Sequence, residues 1–81
     1  MTRFIKIKVR AERTEFHCGY PRTILTNEIE DLIVNVDRIV QITPKGEGKC
    51  LVDIQAGKEV DTRWCVESAD VVMNKQTFEI Q

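Results

Sequence analysis

The chain has 81 residues, 42% of them hydrophobic and 31% charged, with a formal net charge of −1 at pH 7. So short a chain buries only about 60% of its unfolded surface and supports one core, so residues 1–81 read as a single domain. The composition excludes a wholly disordered chain, and no apolar run approaches the roughly 18 residues of a membrane span.

The charges are unevenly placed. Residues 1–22 hold six basic side chains, Arg3, Lys6, Lys8, Arg10, Arg13 and Arg22, against two acidic ones, Glu12 and Glu15, so the remainder of the chain is acidic. Such asymmetry fits an anion-binding face or head-to-tail association, and carries no information about fold. Charge at every second residue interrupts the opening segment, which therefore lacks the apolar core of an export signal; a cytoplasmic location is expected. Three cysteines, Cys18, Cys50 and Cys65, are odd in number and have no CxxC spacing, so reduced thiols are expected and neither a disulfide framework nor a metal site is.

Residues 4–10 alternate strictly, with Ile5, Ile7 and Val9 on one side and Lys6, Lys8 and Arg10 on the other, the period of a half-buried strand. A cationic row of this kind commonly guards an edge strand; it is also the natural place for nucleic-acid contact. Residues 11–31 read as a long, largely irregular loop containing Gly19 and Pro21, in which only Thr23, Ile24, Leu25 and Thr26 resemble a strand.

Alternation returns at Leu32, Val34 and Val36 and again at Val40 and Ile42. Between them Asn35 has the character of a cap and Asp37 of a first turn, which predicts one helical turn or a bulge joining two strands. Pro44, Gly46 and Gly48 supply a wide hairpin loop. Cys50, Val52 and Ile54 then alternate with Leu51, Asp53 and Gln55, and Ala56, Gly57 and Lys58 mark a turn in which Gly57 takes positive φ. In the next strand Val60, Thr62, Trp64 and Val66 read as the inward row, with Asp61, Arg63 and Cys65 opposite and Trp64 as a core anchor. Ser68 is placed to cap a short helix ending at Asn74. Thr77, Phe78, Glu79 and Ile80 alternate once more, as a last strand able to pair with this chain or another.

The fold expected is mainly β (β-rich α+β): a small twisted sheet, or SH3-like or barrel-like meander, of five to six short strands with one short helix near residues 68–74. There is one histidine, and no phosphate loop, GxSxG, HExxH or calcium loop. No enzymatic activity, cofactor, metal or small-molecule substrate is expected.

Asn35, Val36, Asp37, Arg38, Ile39 and Val40, the strand ending in Thr43 and Pro44, and Leu51 to Ile54 with Ala56, Gly57 and Lys58 form a pattern that continues into Cys65 to Ser68 before Val71 and Val72. It resembles the small FlbD-like proteins of bacterial flagellar regions and related phage or mobile-element proteins. A weaker likeness is to the hairpin signature of LytTR-type DNA-binding domains. Both likenesses imply a bacterial β module and cover roughly half of the chain. The function expected is that of a non-enzymatic interaction or assembly module, with a protein partner or itself as a homo-oligomer. The alternative is nucleic-acid binding through Lys6, Lys8, Arg10 and Arg13, where phosphate neutralisation would make affinity fall steeply with salt.

Overall fold

The computed structural model describes residues 2–80 as one five-stranded antiparallel sheet with a single short helix. The strands are β1 (Phe4–His17), β2 (Tyr20–Asn35), β3 (Ile39–Pro44), β4 (Cys50–Ala56) and β5 (Glu59–Cys65), and α1 is Ala69–Met73. Their spatial order is β2-β1-β5-β4-β3, so β2 and β3 are the outer strands of an open, twisted sheet.

The core lies on one face. Ile5, Ile7 and Val9 of β1, Val34 of β2, Cys50 and Val52 of β4, Cys65 of β5, and Ala69 and Val72 of α1 form it, with Leu32, Val36, Ile39, Ile42 and Ile54 packed around them. Burying each of the larger aliphatic side chains contributes about 1.5–3 kcal/mol. Helix α1 is too short to persist alone and is held by this packing. Ser68 caps it by accepting from Val71 N, and Asp70 lies in its first turn. The expected turn between β2 and β3 is a 3-10 turn at Val36–Arg38, with the Asn35 side chain accepting from Asp37 N.

Several expectations are corrected. Residues 11–31 are not a loop: β1 and β2 form a long hairpin closed by Cys18 and Gly19, whose φ values of 53° and 83° match the two left-handed positions of a type I′ turn. Strand β1 is not an edge, because β5 pairs with it at Val9 and Cys65 on the side away from β2. In β3 a register irregularity between Ile39 and Gln41 turns Val40 out to solvent and leaves Ile39 packed on the core.

The parity of β5 is the reverse of that expected. The turn at Gly57, with φ of 64°, sets Ala56 opposite Glu59 and therefore Val52 opposite Arg63 and Cys50 opposite Cys65. Residues directly opposite one another share a face, so Cys65 goes into the core. Trp64, opposite Leu51, is half-buried on the outer face, outside the core cluster. Residues 77–80 do not form a strand either; Phe78 makes one antiparallel bridge to Phe4, with both backbone hydrogen bonds at 2.8 and 2.9 Å.

The β1 and β5 seam is short. Beyond Val9 and Cys65 it continues only through Val66 N donating to Lys8 O at 2.9 Å, after which the Glu67 carboxylate takes over from the backbone and accepts from Lys8 N at 2.8 Å.

Candidate interaction surface

Past Arg10 the β1–β2 hairpin leaves the core and becomes an arm. Its base is an irregularity in which residues 26–28 of β2 bulge past Ala11. Thr26 fastens it: its hydroxyl donates to Ala11 O at 2.8 Å and accepts from Glu28 N at 3.2 Å. Beyond it, Arg13 pairs with Ile24, Glu15 with Arg22, and His17 with Tyr20, while Glu12, Thr14 and Phe16 stand opposite Leu25, Thr23 and Pro21. Both faces of this arm are wet, and at its tip Phe16 is 75% and Tyr20 76% exposed.

Arg63 anchors the arm to the rest of the sheet. Its side chain is 12% exposed, its Nη2 donates to Glu30 Oε1 at 2.9 Å, and its Nε lies 3.4 Å from Glu12 Oε1 without hydrogen-bond geometry. One guanidinium on β5 thus holds a carboxylate on each strand of the hairpin.

The four cations singled out in the sequence do not form one uniform patch. Lys6 and Lys8 are exposed on the face opposite the core, paired across β2 with Ile33 and Asp31. Arg10 is half-buried at the base of the arm, where its Nε donates to Thr26 O at 2.9 Å and its Nη2 to Asn27 Oδ1 at 3.1 Å. Arg13 lies out on the arm, 3.8 Å from Glu28. The regular alternation identified Lys6 and Lys8 as solvent-facing, but the structural duty of Arg10 depends on the bulge, which no local pattern announces.

The same outer face carries Ile29 and Ile33, half-exposed beside Arg10 and Lys6. An open depression of about 520 Å³ is lined by Lys6, Ile33, Lys75, Gln76 and Phe78. Beside the β1 and β5 seam, burial opposes the charge of Glu67, but hydrogen bonds from Lys75 Nζ, at 2.9 Å, and from Lys8 N outweigh it and hold the carboxyl below its ordinary value. Among the described residues, no group of three or more His, Cys, Asp or Glu side chains is gathered as metal ligands would be, and no helix is long and apolar enough to cross a membrane. Comparison with protein-family models, with curated proteins and with solved structures finds nothing that matches this chain.

Proposed function

We propose that this chain is a non-catalytic interaction and assembly module of the bacterial cytoplasm, working through an exposed strand edge and associating with itself. The β1–β2 hairpin carries the reading: it runs past the core, presents Phe16 and Tyr20 at its tip, and leaves β2 as an outer strand. An exposed strand edge is a template for another chain, and a domain of this size gains stability by association. Sedimentation velocity over a low- to high-micromolar series tests it. A mass that rises with concentration is expected; a strictly monomeric species throughout would remove self-association.

A second reading, nucleic-acid binding, is favoured by the adjacency of Lys6 and Lys8 on the outer face, neither of them in an ion pair among the described residues. The test is fluorescence anisotropy of a labelled duplex and a labelled single strand at low and physiological salt. Salt-sensitive binding abolished in Lys6→Glu/Lys8→Glu would put this reading first. No binding even at low salt would eliminate it.

A further inference from the structure

The two outer edges of the sheet are built differently. Strand β3 carries an irregularity at Val40 and ends in Pro44, devices that discourage a further strand. On β2, residues 29–35 run in unbroken register with β1 and contain no proline. Val36 N donates to Arg3 O at 3.0 Å. Antiparallel pairs alternate along a ladder, so Glu30, Leu32 and Val34 turn their amides and carbonyls to β1, and Ile29, Asp31, Ile33 and Asn35 turn theirs outward. The side chains beside those open groups include Ile29 and Ile33, 50% and 51% exposed, where a guarded edge would carry lysine.

We propose that this edge is covered by the same edge of a second copy, running antiparallel, with Leu32 of both chains on the two-fold axis. The inference rests on the self-association proposed above and names its surface. Charge selects the register. With Asp31 on the axis the two aspartates stand opposite each other, and with Glu30 there the two glutamates do; like charges so placed repel. With Ile33 on the axis only residues 31–35 overlap. With Leu32 there, the whole run 29–35 is paired and Asp31 stands opposite the partner's Ile33. The row across the junction then reads Lys6, Ile33, the partner's Asp31 and the partner's Lys8. Each carboxylate has a lysine of its own chain beside it and one of the other chain about 10 Å away, two strand spacings. The interface is isologous and closes at a dimer.

Sedimentation equilibrium of the wild type, Ile33→Lys and Ile33→Asp, each confirmed as folded by circular dichroism, tests the edge. Ile33→Lys is expected to dimerise about tenfold more tightly than Ile33→Asp, because two symmetric charge pairs become attractive in one and repulsive in the other. Association that is equal in all three overturns this edge while leaving self-association standing; a monomeric wild type overturns both. The register is read by oxidising a mixture of Asp31→Cys and Ile33→Cys chains in a Cys18→Ser background. Cross-links between unlike chains are expected to predominate, and a predominance of links within either variant overturns the assignment.

Discussion

Cys50 and Cys65 face each other across β4 and β5, each without solvent exposure, at the centre of the core. Burial, and then the neighbouring Cys65 and the Glu67 charge, push the Cys50 thiol from an ordinary 9.0 up to about 12; burial raises Cys65 as well, although hydrogen bonding from the Glu67 backbone works the other way. Thiolate is the reactive form. At neutral pH the exposed Cys18 is therefore expected to be the one thiol that an aromatic disulfide reagent titrates in the native protein, with Cys50 and Cys65 reacting only after unfolding. Native labelling of either buried cysteine at the rate of Cys18 would contradict this packing.

The same pair predicts how stability depends on alkaline pH. Unfolded Cys50 releases its proton near pH 9 while the folded thiol keeps it to about 12. The folded state binds the extra proton between those values, so its contribution is fully present below pH 9 and declines as pH rises towards 12. Urea midpoints measured across that range are expected to fall, and to fall less in Cys50→Ala, which has no such proton to lose.

Glu67 supplies the acid-side counterpart. Its carboxyl titrates below the ordinary 4.5 when folded, so its contribution is present above that pH and is lost as pH falls through the lowered value. Glu67→Gln gives up the ion pair to Lys75 and the charged acceptor for Lys8 N. A loss of about 1–2 kcal/mol at pH 7 is expected, narrowing as the pH is lowered. Denaturant titrations of both proteins at neutral and acid pH check it.

Local signals before β3, after β4 and at α1 were legible because each rests on residues close in sequence: Asn35 as a cap, Gly57 as the turn, Ser68 before the helix; the irregularity that turns Val40 outward in β3 was not. The parity of β5, reversed when read from its alternation alone, follows only from a longer chain of reasoning. A two-residue turn at Gly57 and Lys58 fixes Cys50 opposite Cys65, and an inward Cys50 then requires an inward Cys65; the apolar look of Val60, Trp64 and Val66 conceals it. The arm was not legible. Both its faces meet water, so it has no apolar alternation to display, and its turn is Cys18 and Gly19 where Asn-Gly or Asp-Gly would announce a hairpin. The open edge at residues 29–35 emerges only once β2 is known to be outermost.

Arg63 is expected to matter more for the arm than for the core. Arg63→Ala removes an aliphatic stem packed beside Val52 and the guanidinium that holds Glu12 and Glu30. Both carboxylates can rehydrate, so the expected loss of global stability is about 1–2 kcal/mol. Hydrogen exchange should quicken first in residues 11–30, ahead of β4. Uniform quickening throughout the sheet would show that Arg63 instead supports the core.

The arm itself is expected to be dispensable for folding. Residues 14–23 are all exposed and contribute nothing to the core cluster, so their removal costs no apolar burial. Arg13 stands opposite Ile24 in the same hydrogen-bonded phase as the His17 and Tyr20 pair that flanks the native turn, so an Asn-Gly type I′ turn joining Arg13 and Ile24 closes a shortened hairpin in the same register. The Thr26 and Arg10 hydrogen bonds at the bulge lie outside the excised segment and keep the base fastened. The shortened protein is expected to unfold cooperatively with a stability within about 1 kcal/mol of the parent, as surface changes away from packed features usually do. A larger loss in a denaturant titration would mean that the arm stabilises β1 and β2 beyond its own length, and that the hairpin is a folding unit rather than a projection.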